Sequence, residues 1–253
     1  TPKPSSAASD VYKRQIKASE CTVILTGAGI STESGLPDFR SDNGFWTKNQ
    51  PIQFNEFLLS EEKQRLSWER NIELHSLLKN IKPNIGHAFV EKIINMQKNN
   101  FLITQNIDGL HQKSGIPRNK IIEIHGSAIK AACLDCKIEQ NILNFHEAIK
   151  AKKKLPGCDI CGGIVKVATI SFGQPMNEAD MTRASNIVED SDLIMVMGSS
   201  LKVLPAGKLP SVAMQSGSKL VIFNREKTHY DASADIVIND ELENICSRLI
   251  QEL

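Results

Sequence analysis

The sequence predicts an α/β fold built on a doubly wound parallel sheet, and three observations support this. Short apolar runs rich in β-branched residues recur along the chain, for example at residues 21–25 and at Leu193–Met197. Most of them are followed at once by glycine or polar turn residues, which is typical of strands buried on both faces. Segments with helical periodicity separate several of these runs, such as the one carrying Phe89, Ile93 and Met96. This alternation of strand and helix favours a parallel, Rossmann-like sheet covered by helices.

Two segments interrupt the alternation and predict a second, smaller lobe. One carries helical patterns without a convincing strand, and the other holds two C-x-x-C pairs around a polar helical segment. The predicted division is a Rossmann-like lobe of residues 16–37, 99–131 and 166–253, a helical insert of residues 38–98, and a zinc ribbon of residues 132–165. Residues 1–15 lack apolar periodicity and are predicted to be a disordered or non-native tail, since residues 5–15 resemble the translation of a sequencing adapter.

The composition of the chain limits the classes of partner and location. Its 253 residues include 30 basic and 29 acidic side chains, so the formal net charge is +1. This balance gives no electrostatic basis for binding nucleic acid or an anionic membrane. No apolar run approaches the ~20 residues that a membrane-spanning helix requires, and the first residues do not form a signal peptide. A cytoplasmic location is therefore expected.

Four of the six cysteines form two pairs with the spacing of a zinc site. The pairs are Cys133-x-x-Cys136 and Cys158-x-x-Cys161, and 21 residues separate them. In a cytosolic chain of this size, paired C-x-x-C motifs favour a metal over disulfides. Four thiolates would complete a closed tetrahedral shell, so one structural zinc ion per chain is predicted. A redox site or two accidental pairs are the alternatives.

A glycine-rich turn, Gly27-Ala28-Gly29, follows the first predicted strand. In open α/β sheets this is where ligand phosphates lie, close to the start of a helix. The ordinary dinucleotide fingerprint would need a glycine at position 32, where the chain has Thr32. No acidic residue ends a neighbouring second strand to bind ribose hydroxyls. These differences argue against a conventional dehydrogenase.

Polar residues that could hold an amide follow a later predicted strand. In the string Gln105-Asn106-Ile107-Asp108, Asn106 and Asp108 offer the donor and acceptor groups that a planar carboxamide needs. Farther along, His125 stands at a strand end before a glycine, and a histidine can accept a proton near neutral pH without a metal. The predicted roles of these residues are an amide-binding site and a general base.

In this order, the motifs resemble those of the sirtuin family of NAD-dependent protein deacylases. The resemblance runs from about residue 21 to the C-terminus. It rests on the strings GAGIS at 27–31, GLPDFR at 35–40 with Trp46, QNID at 105–108, HG at 125–126, the two cysteine pairs, and SFG at 171–173.

The resemblance implies a set of NAD contacts. The turn containing Gly27, Ala28, Gly29 and Ser31 would hold the pyrophosphate, and the loop of Asp38, Phe39, Arg40 and Trp46 would close over the nicotinamide ribose. Gln105 and Asn106 would contact that ribose and order water, while Ile107 and Asp108 would bind the carboxamide. The adenosine half would be bound by Gly198, Ser199, Ser200, Asn224, Arg225 and Glu226.

The resemblance also implies the reaction and its substrate. Acylated-lysine proteins or peptides would be deacylated, with nicotinamide and O-acyl-ADP-ribose released. The catalytic residues would be His125, which deprotonates the ribose, and Asn106. The backbone carbonyl of Ile170 would accept the substrate amide, and Phe172, Gly173 and Val203 would line the binding groove.

Two departures from the family pattern bear on substrate choice. Before and after the SFG string, the family often has Arg-Pro and Glu, where this chain has Lys166-Val167 and Gln174. Sirtuins acting on acidic acyl groups carry Tyr-x-x-Arg in the helical insert, where this chain has Trp68-Glu69-Arg70-Asn71. A buried acyl carboxylate would lack its cation there, which favours neutral acyl groups.

Two other functions remain compatible with these motifs. A mono-ADP-ribosyltransferase or NAD glycohydrolase would share nicotinamide release, but it would not require the ribose deprotonation that His125 would perform. A catalytically silent NAD-sensing or peptide-binding module would not need the complete QNID string together with His125. Deacylation is therefore the favoured function.

Overall fold

The computed structural model of the protein describes residues 14–37 and 50–253. Nine strands form within these residues, and six of them build one parallel sheet in the order β3-β2-β1-β7-β8-β9. The strands are β1 (Thr22–Thr26), β2 (Phe101–Thr104), β3 (Ile121–Glu123), β4 (Gly126–Cys133), β5 (Glu139–Gln140), β6 (Val165–Thr169), β7 (Leu193–Met197), β8 (Lys219–Phe223) and β9 (Ile236–Ile238).

The α-helices with described bounds are α1 (Phe54–Leu59), α2 (Glu61–Asn80), α3 (Ile85–Met96), α4 (Leu110–Lys113), α5 (Ile142–Lys150), α6 (Glu178–Glu189), α7 (Leu209–Gln215) and α8 (Leu242–Leu249). Among the helices of the described residues, none is long and apolar enough to cross a membrane.

The central strands are buried on both faces, as their continuous apolar sequences predict. All five residues of β1 are buried, and its side chains alternate between two separate cores. Ile24 packs with α3 and α8 on one face of the sheet, whereas Val23 and Leu25 pack with α6 and α7 on the other. The predicted doubly wound sheet with helices on both faces is confirmed.

The strand order creates a crevice where the direction of the winding reverses. From β1 the chain proceeds to β2 and β3 on one side, and β7, β8 and β9 extend the sheet on the other. The helices that follow β1 and β7 in the chain therefore cover opposite faces of the sheet. In doubly wound sheets, ligands bind at this switch point.

Helix α3 packs on the large sheet, which differs from the predicted division of the chain. The prediction includes it in the helical insert of residues 38–98, but Phe89 and Ile93 are fully buried in the core that contains Ile24 and Leu102. The side chain of Asn84 caps the helix by accepting hydrogen bonds from the backbone N–H groups of residues 86 and 87. Because α3 is the last helix of the connection between the parallel strands β1 and β2, it packs on the sheet that these strands form.

The start of the fold also differs slightly from the prediction. Residues 14–18 are helical, whereas the predicted tail extends to residue 15. Ile16 is 4% exposed and joins the core under the sheet, and this packing holds the adjoining helical turn. The rest of the predicted tail lies outside the described residues.

The smaller lobe combines α2 with a separate antiparallel sheet in the order β5-β4-β6 and with α5. Trp68 of α2 stacks on Phe145 of α5, with ring centroids 4.6 Å apart, and both side chains are buried. Stacked aromatic pairs of this kind add about 0.5–1.5 kcal/mol beyond the burial of their area. This contact joins the helical and cysteine-bearing parts of the lobe.

Candidate functional site

Three glycines let the loops after β1 and β7 touch at the switch point. The N–H of Gly27 donates to the Met197 carbonyl at 3.1 Å, and the N–H of Gly29 donates to the Gly198 carbonyl at 2.9 Å. A Cβ atom at either Gly27 or Gly29 would lie within 2.8 Å of the Gly198 oxygen, and Gly198 itself has a φ of +63°. Side chains at these positions would force the two loops apart. The glycine string therefore shapes the crevice through close backbone approach.

Ser31, Asn106 and Asp108 meet in this crevice, although more than 70 residues separate the first from the other two. The Ser31 hydroxyl donates to the Asp108 carboxylate at 2.7 Å, and the Asn106 amide donates to the Ser31 oxygen at 3.1 Å. All three side chains are buried. The backbone N–H of Leu110 donates to the second carboxylate oxygen at 2.9 Å. The predicted pyrophosphate turn and amide-binding string thus form one polar cluster.

Burial has the largest effect on the pKa of Asp108, the ionisable residue of this cluster. It raises the pKa of Asp108, while the hydrogen bonds from Leu110 and Ser31 act in the opposite direction. Two polar atoms of the neighbouring side chains, Asn106 Oδ1 and Gln105 Nε2, are buried and have no hydrogen-bond partner among the described residues. One is an acceptor and the other a donor, and buried atoms of this kind are costly to leave without partners. The site therefore fits a polar ligand such as the nicotinamide ribose and carboxamide.

A backbone carbonyl sets the tautomer of His125, the predicted base. Its Nδ1 atom lies 3.0 Å from the backbone carbonyl of Gln105. A carbonyl only accepts hydrogen bonds, so Nδ1 carries the proton and Nε2 keeps a lone pair. The adjacent N–H of Ile124 donates to the Thr104 carbonyl at 3.0 Å, which fixes the end of β3 next to the end of β2. The structure thus places the predicted base beside the amide-binding string.

The predicted adenosine-side residues lie at the carboxyl ends of β7 and β8. Ser199 donates to the Gln105 side-chain oxygen at 2.8 Å, which ties the β7 loop to the β2 loop, and Ser200 follows it. Asn224 is buried and donates to the Glu226 carbonyl at 2.7 Å. Arg225 is exposed and lies 3.6 Å from the carboxylate of Glu241. These residues therefore follow the ends of the strands on the β7–β9 side of the switch point.

The predicted substrate segment begins where β6 ends. The N–H of Ile170 donates to the His125 carbonyl, and the Phe172 carbonyl accepts from the N–H of Phe54, each at 2.9 Å. The Phe172 side chain is 43% exposed, and Gly173 follows it with a φ of +79°. Val203 is half-buried in the loop after β7. Neither residues 170–173 nor residues 198–203 form a strand in the structure, so their pairing with a peptide stays a prediction.

Four of the predicted cofactor residues fall in a part of the chain that the structure does not describe. Asp38, Phe39, Arg40 and Trp46 lie outside the described residues, and their roles stay predictions. Ile107, the remaining member of the amide-binding string, is half-buried, and its carbonyl accepts from the N–H of Ala128 at 2.9 Å.

The four predicted zinc ligands lie together in the smaller lobe. The sulfur atoms of Cys133, Cys136, Cys158 and Cys161 all lie within 4.8 Å of one another. The Cys133–Cys161 and Cys136–Cys158 sulfur pairs are 3.5 and 3.6 Å apart. A tetrahedral zinc with Zn–S bonds of about 2.3 Å would place its sulfurs about 3.8 Å apart, so the cluster fits the ion.

The backbone supports each half of this cluster in the same way. The N–H of Asp135 donates to the Cys133 sulfur, and the N–H of Ile160 donates to the Cys158 sulfur, both at 3.4 Å. Such bonds stabilise thiolates, the form that binds the metal. Since β4 runs from Gly126 to Cys133, the cluster lies roughly 25 Å from His125 along the strand. This separation favours a structural role for the metal.

A buried polar network lies beneath the crevice, and the sequence analysis does not predict it. The side chains of Thr26 and Thr104 share a hydrogen bond at 2.8 Å, and Thr104 also accepts from the N–H of Asn106 at 3.0 Å. Thr26 lies 3.0 Å from Nε2 of His111, whose ring centroid is 4.8 Å from that of His87. Burial lowers the pKa of both histidines, to about 4 for His87. The one signal in the sequence is the threonine that ends both β1 and β2, a pattern too common to single out.

The residues predicted to govern acyl choice lie mainly in the core of the smaller lobe. Trp68 is 1% exposed against Phe145, and Asn71 donates to the Ala128 carbonyl and pairs with His146. Arg70 donates to the Gln50 carbonyl at 2.7 Å. Helix packing, which sequence spacing does not reveal, turns this face of α2 towards α5.

Comparisons with known proteins agree with the geometry. Residues 27–205 match the model of the Sir2 family. The NAD-dependent protein deacetylase of Rhodopseudomonas palustris is 40% identical over 220 residues, covering 87% of each chain, and NAD-dependent protein deacetylase 1 of Bradyrhizobium diazoefficiens is 41% identical over 227 residues, covering 90% of this chain and 89% of the relative.

Solved structures give the same result. A complex described as Sir2–p53 peptide–NAD+ is 31% identical, with a TM-score of 0.79, and covers 96% of this chain and 97% of the other. Sir2Tm bound to a propionylated peptide is 29% identical, with a TM-score of 0.82 and the same coverage. With the parallel sheet, the polar crevice and the four-cysteine cluster, these matches establish that the chain belongs to the Sir2 family.

Proposed function

We propose that the protein is an NAD-dependent protein-lysine deacetylase that releases nicotinamide and O-acyl-ADP-ribose. Its curated relatives at 36–41% identity are named NAD-dependent protein deacetylases. The observation that carries the proposal is the position of His125, whose Nδ1 donates to the Gln105 carbonyl next to the Ser31–Asn106–Asp108 cluster. This arrangement joins a base to a site suited to the nicotinamide ribose.

Each part of the crevice has a separate task in this reaction. Bound NAD+ supplies an electrophilic ribose carbon with nicotinamide as the leaving group. Asp108 and Ile107 hold the carboxamide, with the Ser31 hydroxyl orienting the Asp108 carboxylate. Asn106 and Gln105 contact the ribose through the atoms that lack partners among the described residues. The glycine turn brings backbone N–H groups close to the pyrophosphate.

His125 is the proton acceptor. Its Nε2 atom would take a proton from a ribose hydroxyl of bound NAD+, and the Gln105 carbonyl would stabilise the resulting imidazolium through Nδ1. The backbone carbonyl of His125 also accepts from the N–H of Ile170, so the base is joined directly to the segment that would bind the acyl-lysine. This hydrogen bond keeps the base close to both reactants.

The protein's substrates are acylated-lysine proteins or peptides, with neutral acyl groups favoured. Phe172 offers an exposed aromatic surface for the lysine stem, and the carbonyl of Ile170 accepts its amide. A zinc ion bound by the four cysteines would stabilise the β4–β6 sheet, from which this segment continues. A cytoplasmic location is part of the proposal.

One experiment distinguishes this function from the alternatives. The protein is incubated with NAD+ and an acetyl-lysine peptide, and the products are measured by mass spectrometry. We expect deacetylated peptide and O-acetyl-ADP-ribose in equal amounts. Free ADP-ribose without deacetylation would indicate an NAD glycohydrolase, ADP-ribose attached to peptide or protein a transferase, and no nicotinamide release a silent module.

The role of His125 is tested with a matched histidine. His125→Ala should lose more than about 90% of deacetylation while NAD+ binding stays within about threefold, because the base acts after the cofactor is bound. His229→Ala, which removes an exposed histidine beside Tyr230, should keep normal activity. Deacetylation by His125→Ala above a tenth of the wild-type rate would contradict the assignment.

A further inference from the structure

The side chain of Lys166 is buried beside the substrate segment. It is 2% exposed, although lysine is almost never fully buried without a partner. Among the described residues, no carboxylate lies within 4.0 Å of its Nζ atom, so none of their acidic side chains forms a salt bridge with it. Burial lowers its pKa to about 8, so the amine is still mostly protonated at neutral pH.

The ammonium group instead binds the end of its own strand. Nζ donates to the carbonyl of Thr169 and, at 3.3 Å, to that of Val167. It also lies 5.9 Å from the centroid of the buried Phe57 ring on α1. A charged donor makes stronger hydrogen bonds than a neutral one, and the aromatic face adds a favourable contact. The charge therefore fixes the last residue of β6 against α1.

Thr169 is the residue from which the substrate segment starts. It pairs with Gly126 across the small sheet, and the next residue, Ile170, donates to the His125 carbonyl at 2.9 Å. Two residues later the Phe172 carbonyl accepts from the N–H of Phe54 at the start of α1. The segment is thus held at three points, by the base, by α1 and by Lys166.

We propose that Lys166 is a positioning residue that sets the placement of residues 170–173 for binding the acyl-lysine peptide. The proposal rests on the proposed function of this segment as the substrate groove. Lys166 touches neither cofactor nor reacting atoms, and it acts through the Thr169 carbonyl. Its removal should therefore affect peptide binding more than NAD+ binding.

The test uses zinc-loaded full-length protein and a fluorescein-labelled acetyl-lysine peptide. Lys166→Met keeps the length of the side chain but removes the charge and the donors. We expect its peptide Kd, measured by fluorescence anisotropy, and its peptide KM to rise at least about tenfold, as loss of hydrogen bonds from a charged group would cause. The KM for NAD+ should stay within about twofold. Lys166→Arg, which keeps a buried charged donor, should recover most of the peptide affinity.

Lys130→Met is the matched control. Lys130 lies on β4 of the same sheet, is partly exposed, and pairs with Glu139 at 3.7 Å. The substitution should leave both KM values within about twofold of the wild type. This comparison separates the position of Lys166 from the general loss of a positive charge in the lobe.

Every outcome bears on the proposal. Unchanged peptide Kd in folded Lys166→Met would overturn it, and so would equal increases in the KM for peptide and NAD+. If the Met variant does not fold, Lys166→Gln replaces it in the test, because its side-chain amide keeps a neutral hydrogen-bond donor. If both variants lose the fold or the zinc, Lys166 stabilises the whole lobe and the proposed local role is wrong. The peptide Kd is measured without any reaction. If the wild type binds the peptide but does not deacetylate it, the proposed function is refuted while the proposal for Lys166 is still tested by the Kd values.

Discussion

Replacing Gly126 with alanine tests whether the geometry around His125 controls the reaction. Gly126 follows His125 directly, opens β4, and has a φ of +75°, which L side chains rarely adopt. A Cβ atom there would lie 1.9 Å from the Ala168 carbonyl oxygen and 3.2 Å from the Thr169 Cα. The added methyl group would collide with the backbone of β6 where the substrate segment begins.

The structure sets the size of the effect. Real Cβ contacts are not shorter than 3.0 Å, so the two backbones must separate by at least 3.0 − 1.9 = 1.1 Å. The left-handed backbone costs roughly 1–2 kcal/mol and the overpacking about 1–3 kcal/mol more, for a loss of about 2–5 kcal/mol in the free energy of unfolding. A displacement of about 1 Å at a catalytic group lowers the rate roughly 100-fold.

The control is another glycine that also has a positive φ but is surrounded by open space. Gly217, between α7 and β8, has a φ of +95°, and a methyl group added there would have no atom within 4 Å. Gly217→Ala should lose only about 1–2 kcal/mol and keep its kcat. Deacetylation kcat and thermal unfolding are measured for both variants. A folded Gly126→Ala protein with kcat within about threefold of the wild type would show that the displacement does not reach His125.

Three further predictions follow from other parts of the structure. Metal analysis should find one zinc per chain, and Cys136→Ser should lose it and destabilise the smaller lobe, because structural zinc contributes folding free energy directly; a stable, active, metal-free protein would contradict this. Burial lowers the pKa of His87 from 6.5 to about 4. The folded protein therefore favours neutral His87, and this contribution to the free energy of unfolding is complete above pH 6.5 and is lost as the pH falls towards 4. The loss in the free energy of unfolding amounts to roughly 2 kcal/mol between about pH 7.5 and pH 5. Urea unfolding at these two pH values should show a smaller loss for His87→Gln than for the wild type, and equal losses in the two proteins would refute this prediction. An acetyl-lysine peptide should be processed roughly 30- to 1000-fold more efficiently than its succinyl match, since an unpaired buried carboxylate costs ~2–4 kcal/mol, and equal kcat/KM values would show that a cation such as Arg70 reaches the acyl group.

Local patterns are sufficient to predict much of the candidate site. The glycine turn, the QNID string and His125 each follow an apolar run, and carboxyl ends of parallel strands meet at one edge of a sheet. The spacing of the cysteine pairs predicts the cluster for a similar reason, since each C-x-x-C forms a turn that carries two ligands. In both cases the functional residues belong to short sequence motifs, and the local structure of each motif places its functional atoms close together.

The chain of contacts around the site cannot be predicted in this way. The Ser31–Asp108 hydrogen bond and the contact of Lys166 with Phe57 join residues far apart in sequence. Periodicity indicates that a side chain is buried, but it does not identify the residue on the other side. For the same reason, the sequence does not predict that the ring of Trp68 packs on Phe145 of α5.

The sequence by itself determined the alternation of strands and helices, the four zinc ligands and the residues able to bind an amide or accept a proton. These depend on side-chain chemistry and on interactions between residues close along the chain. The tertiary structure decided that α3 covers the large sheet, that β1 and β7 are neighbours, and that Lys166 is buried beside the substrate segment. Such features depend on close packing between distant segments, where the shape and polarity of both partners together select the arrangement.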